Sequence, residues 1–313
     1  ALIDTVELRL ERRLPPDHVI PPAAGLVGLG LSGDLPDAAP LAPTTPPAPP
    51  LPFEALAYAH GLRPAVFLTV APQDEAAARE ALPGAIVRRE RHAGGEPRVQ
   101  LYAARDQVTA EALARLQDLE PTERLTREGA LLGYPACCVQ AFAAQVDRAD
   151  ESFNRQSIAT RTSAGPGPWP ALLDDTALAL LPHFPCTYRC ERSREQAAAL
   201  LRVLEDEDPS LRARALAYLG GPVLYFDQGR QLRFRGEADG IAIRYASVSI
   251  PWQADDAFAR LAGAVALGDR LVLGDASLAV YAGGARLFAL ERTDPGLGLV
   301  FPFGQTGTIS SQP

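Results

Sequence analysis

Four cysteines are divided between two short, proline-led segments: Pro135-Ala136-Cys137-Cys138 and Pro185-Cys186-Thr187-Tyr188-Arg189-Cys190. If these thiols serve one site, the fold must bring together residues 48 positions apart in sequence, Cys138 and Cys186. Proline is favoured at the first position of a helix, where its missing N–H costs nothing. Pro135 therefore predicts a helix running to about Val146, with Cys137 and Cys138 in its first turn. Pro185 predicts a second, running to about Glu205, with Cys186 and Cys190 four apart on one face. At both starts, unpaired backbone N–H groups and the positive end of the helix dipole favour thiolate over thiol.

Four converging thiolates imply a metal or a cluster, and the spacing helps to choose between them. Neighbouring Cys137 and Cys138 diverge by roughly 100° on a helix with about 3.6 residues per turn. A tetrahedral zinc, with Zn–S near ~2.3 Å, needs its sulfurs close together, and its sites more often use Cys-x2–4-Cys pairs. A cubane spreads its thiolates more widely. On spacing, a [4Fe-4S] cluster in redox or sulfur-related chemistry is the first expectation, with a redox protein as partner. The alternative is a structural zinc held by the same four cysteines in a binding or scaffold module. A disulfide reading is weaker, because adjacent cysteines rarely bridge each other.

The stretch Gly133-Tyr134-Pro135-Ala136-Cys137-Cys138-Val139, ending at Phe142, and the stretch from His183 through Pro185, Cys186 and Cys190 to Ser193 form a double motif. Together they resemble an uncharacterised archaeal and bacterial family, a domain of unknown function, over Gly133 to Ser193. The resemblance implies that the four cysteines belong to one site. It adds Tyr134, His183 and Ser193 as neighbours of the ligands, and it implies no activity.

At 313 residues the chain exceeds the size at which one core usually stops growing. The expected fold is α+β: a small N-terminal α/β sheet region, a central helical four-cysteine region and a C-terminal, mainly antiparallel β subdomain. The expected boundaries are 1–52 for a strand (Val6–Leu10) and a Pro-rich arm, 53–120 for the α/β part, 121–219 for the helical part and 220–313 for the β part. Eight prolines between Pro36 and Pro52 exclude a regular helix there and suggest a linker or surface arm. Strands are expected at Ala65–Val70, Ala85–Arg89 and Arg98–Ala103, with helices at Gln73–Leu82 and Thr109–Leu119. The central region should hold helices at Thr122–Leu132, Ala171–Leu181 and Pro209–Leu219. After Gly220-Gly221, short alternating segments separated by Gly turns read as strands, interrupted by a helix at Asp255–Val265.

The formal net charge is −8 and every basic residue is arginine, so broad, sequence-independent nucleic-acid binding is not expected. The longest apolar run, Val19 to Leu31, is short and broken by Pro and Gly, which argues against a membrane span. No signal peptide is visible, and a cytoplasmic location with reduced thiols is the expectation.

Other patterns are weaker. Gly28-Leu29-Gly30-Leu31-Ser32-Gly33 matches G-x-G-x-x-G but lacks a preceding strand and a following helix, since prolines flank it on both sides. His183 alone among four histidines lies near a cysteine. It could replace one cysteine as a zinc ligand, act as a base or hydrogen-bond to a sulfur. Glu205-Asp206-Glu207-Asp208 reads as a solvated turn.

Overall fold

A computed structural model describes residues 25–44, 52–91, 97–116, 119, 121–145, 151–162, 168–173, 179–227, 230–251 and 255–304. The architecture is mixed α+β. Its contacts divide the chain into two units. One takes the described residues within Pro47–Ser163 and Leu178–Arg214. The other takes those within Val19–Pro46, Ala164–Ala177 and Ala215–Pro313.

The first unit is built on an antiparallel sheet of β1 (Ala65–Val70), β2 (Ile86–Arg91) and β3 (Pro97–Ala104), with β3 in the middle. β1 is apolar at nearly every position because both faces are covered. Val66 and Leu68 pack with Val99 and Leu101 against α1 (Phe53–Ala59) and α2 (Glu75–Ala81). Ala65, Phe67 and Tyr102 pack on the opposite side with Leu113 and Ala114 of α3 (Gln107–Arg115). Alternating residues thus serve two cores, as a period of two requires. Asp106 opens α3 by accepting a hydrogen bond from the Thr109 N–H at 2.8 Å.

Helices α4 (Pro121–Leu131) and α5 (Ala136–Ala143) follow and carry the first cysteine pair into place. Two glycines make this possible. A Cβ on Gly129 would lie 2.5 Å from Val139, so only glycine allows so close an approach of α4 and α5. Gly133 takes a φ of +73° in the turn between them, and its Cβ would meet Pro64 at 2.6 Å. α6 (Glu151–Thr162), α7 (Glu191–Glu207) and the helix Pro209–Tyr218 complete the helical part.

In the second unit an eight-stranded antiparallel sheet runs in the order Leu31–Ser32, Ala285–Arg292, Ser277–Ala282, Arg270–Leu273, Ala242–Ser249, Gln231–Asp239, Val223–Tyr225 and Leu299–Phe301. One face buries Leu224, Phe234, Ile243, Leu271 and Val280 against Phe258, Leu261 and Val265 of the helix Asp256–Ala266. The strands and the helix foreseen after Gly221 are all present.

Some expectations are corrected. The Pro-rich segment is not a free arm as far as Thr44: Leu35, Ala38 and Leu41 pack on the core, and the Leu41 N–H donates to the Ala259 carbonyl at 2.9 Å. Gly263 makes room for it, since a Cβ there would meet the Ala39 carbonyl oxygen at 2.0 Å. Where a helix is expected at Ala171–Leu181, the structure shows a 3-10 turn at Ala171–Leu173; residues 174–178 lie outside the described set, and the described residues 179–190 hold no regular helix. Pro182 and Pro185 remove donors that a helix would need. α6 was not foreseen, and Val6–Leu10 lies outside the described residues. Asp208 is more than a solvated turn: its carboxylate accepts the Leu211 N–H at 2.8 Å and caps the helix from Pro209.

Candidate metal centre

The four cysteines converge, with all four sulfurs within 4.8 Å of one another. Cys137 and Cys138 occupy the second and third positions of α5, and Pro135 is its cap, with the Cys138 and Val139 N–H groups donating to the Pro135 carbonyl. The proline-start reading therefore holds for this helix, shifted by one residue.

It fails for the second pair. α7 begins at Glu191 with Cys190 as its cap, so Cys186 precedes it in a turn rather than sharing a helical face with Cys190. The backbone donors of the turn have other acceptors. The Cys186 N–H donates to Cys138 Sγ at 3.2 Å, the Tyr188 N–H to Thr162 Oγ1 at 2.8 Å and the Arg189 N–H to Thr187 Oγ1 at 3.3 Å. Only Thr187 is a local competitor of this kind; Cys138 and Thr162 reach the turn from distant parts of the chain. The N-termini of two helices, α5 and α7, still meet at the sulfurs, but burial outweighs the expected preference for thiolate at Cys138 and Cys186.

Cys137 Sγ lies 3.9 Å from both Cys138 Sγ and Cys190 Sγ, and the Cys138–Cys190 separation is 3.7 Å. Cys138 and Cys190 are buried, while Cys137 and Cys186 are half-buried. Burial pushes the Cys138 thiol well above its ordinary value, although the Ser193 hydroxyl and the Cys186 N–H oppose it. Burial likewise raises Cys186, to about 11. At Cys190 burial also acts upward, but Ser193 and the neighbouring thiols outweigh it and leave this thiol below its ordinary value. Burial thus favours the thiol at Cys138 and Cys186, and a metal taking these sulfurs as ligands would have to displace their protons.

The three neighbours taken from the double motif also lie here. Ser193 is fully buried, with Oγ 3.3 Å from Cys138 Sγ and 3.0 Å from His183 Nε2. Burial first, then the Arg63 charge, lowers the His183 pKa to about 3, so this imidazole is neutral. One arrangement serves all three groups: His183 Nε2–H donates to Ser193 Oγ, and the Ser193 hydroxyl donates to the Cys138 sulfur. His183 Nδ1, which has no hydrogen-bond partner, then carries no proton and leaves no donor stranded. The Tyr134 ring packs on His183 with centroids 4.9 Å apart. His183 thus lies beside Ser193, outside the group of four converging sulfurs.

Sequence reasoning missed the contribution of α6. Arg161 Nε donates to the Cys186 carbonyl at 2.7 Å, and Thr162 holds the Tyr188 N–H. Both fix the turn that presents Cys186 and Cys190. Nothing in the spacing of the motif points to them, because they lie between its two halves, well away from either.

The G-x-G-x-x-G segment forms a 3-10 turn, Gly25–Leu29, and a two-residue strand, Leu31–Ser32, with no helix opening after it. It lacks the strand–turn–helix context of a dinucleotide site. No helix among the described residues is long and apolar enough to cross a membrane. The four cysteines are positioned to bind a metal. No family model, curated protein or solved structure matches the chain.

Proposed function

We propose that the chain binds a single zinc ion through Cys137, Cys138, Cys186 and Cys190, in a closed structural site that fastens α5 to the turn preceding α7. The separations of 3.7 to 3.9 Å among the Cys137, Cys138 and Cys190 sulfurs, with the Cys186 sulfur within 4.8 Å of each, carry this reading. Four sulfurs at ~2.3 Å from one zinc form a tetrahedron with edges of about 3.8 Å. A [4Fe-4S] core, the occupant favoured by sequence spacing, sets its thiolates on the order of 6 Å apart, so the sulfurs would have to open before it could enter. Four thiolates leave no vacant coordination position, and closed sites of this kind are structural rather than catalytic. The zinc would supply charge that keeps the sulfurs ionised, while the chain supplies two helix N-termini, the Cys186 N–H and the Ser193 hydroxyl around them. The protein is then a scaffold whose binding surface lies away from the metal.

The test is metal and sulfide analysis of protein prepared without oxygen. One zinc per chain in colourless protein is the expected result. Brown protein carrying iron and acid-labile sulfide would overturn the proposal in favour of the cluster. Single replacement of each cysteine by serine should lower metal retention in all four cases.

A further inference from the structure

A cavity of about 430 Å3 lies in the same unit as the thiolate centre. Its wall is largely apolar, with Leu62, Leu180, Ala199 and Leu200, and Pro135, the cap of α5, forms part of it. Arg63, Arg192, Glu195 and Gln196 also line it, so two basic residues are set against one acidic residue. Within a chain of net charge −8, this is a locally positive apolar pocket.

Arg63 is the informative residue. It is only 7% exposed, yet among the described residues no carboxylate pairs with it and no hydrogen bond engages its side chain. Its guanidinium carbon lies over the face of Tyr134, 5.2 Å from the ring centroid. None of its nitrogens is among the buried side-chain atoms left unpaired, and Arg63 lines the cavity, so its donors keep access to that space. A guanidinium stacked on a ring still has its planar fork of N–H donors available, and that fork matches a carboxylate.

The geometry points to a binding site for a small organic acid, its carboxylate on Arg63 and an apolar body against Leu62, Leu180 and Leu200. The cavity is within the volume range of small-molecule sites, which combine an apolar lining with a few polar anchors. The apolar wall favours an organic acid over inorganic phosphate, which would leave that wall unused. This site stands whichever metal the cysteines hold.

Titration calorimetry of the metal-replete full chain with acetate, isovalerate, phenylacetate and inorganic phosphate tests it. Isovalerate or phenylacetate should saturate one site at least about tenfold more tightly than acetate, since each buried methylene adds ~0.8 kcal/mol. Arg63→Met should weaken that binding at least about tenfold with metal content unchanged, which separates this site from the zinc reading. Ala199→Phe fills the cavity with Arg63 intact and should have the same effect if Arg63→Met does not fold. Three results overturn the proposal: no saturable binding of any of the three carboxylates, phosphate binding more tightly than all of them, or carboxylate binding that survives the filling of the cavity.

Discussion

Replacement of Ser193 by alanine separates the two jobs assigned to its hydroxyl. Ser193 is fully buried between Cys138 Sγ and His183 Nε2. With the metal bound, Cys138 is a thiolate, and a hydrogen bond to a charged acceptor contributes about 1.5–3 kcal/mol. That corresponds to a 10- to 100-fold loss of metal affinity, the range typical of groups that support a ligand from behind. Without the metal, burial keeps Cys138 protonated and this loss largely disappears. The His183 Nε2–H, however, is left without an acceptor in both states, at ~1–3 kcal/mol. Chelator competition measures the first loss, and urea unfolding of the metal-free protein measures the second. A Ser193→Ala protein whose metal affinity stays within about twofold of wild type would refute the hydrogen-bond relay.

Other expectations can be checked as directly. Cys138 and Cys186 are held protonated by burial, so metal binding must release at least those two protons. Affinity should therefore rise with pH, by at least about 100-fold per unit through the neutral range, and a flat profile in buffered competition assays would contradict it. Asp106 and Asp208 each lie below the ordinary carboxylate range because backbone N–H groups bond to them. A pKa lowered on folding contributes stability above the ordinary value of 3.8 that is lost as pH falls through the folded value, so Asp106→Ala and Asp208→Ala should flatten the acid limb of the stability curve. Asp255→Ala removes the 2.8 Å cap on the Phe258 N–H and should cost ~1 kcal/mol in denaturant unfolding. Gly263→Ala drives a methyl into the Ala39 carbonyl and should cost about 1–3 kcal/mol, with increased protease sensitivity of residues 34–44.

Much of the fold follows from periodicity. β1 is a solid apolar run because it faces two cores, and the helix Asp256–Ala266 shows an apolar stripe after a capping aspartate. α6 was hidden because its inward side is polar: Asn154, Arg155 and Thr162 are buried with Ile158, so no apolar period marks it. The cysteines could be grouped from their flanking prolines, yet Pro185 misled about the helix start. A proline favours the first position of a helix but cannot reveal that Thr162 and Cys138, distant in sequence, will take the N–H groups that follow it. The proposed preference for zinc over a cluster rests on a quantity that spacing does not carry. Sequence spacing shows which residues share a face, whereas the distance between sulfurs depends on the Gly129–Val139 approach and on the turn before α7.

The meeting of Cys138 with the Cys186 segment, 48 residues further along, has a topological consequence. A metal bound there turns the intervening chain into a closed ring. In the unfolded state such a ring has fewer conformations, and a comparable covalent cross-link contributes about 3–4.7 kcal/mol. A protease cut anywhere inside the ring would leave both fragments attached through the ion. They would part only when a chelator removed it, so a nicked protein that runs as one species and separates on chelation would report the ring directly.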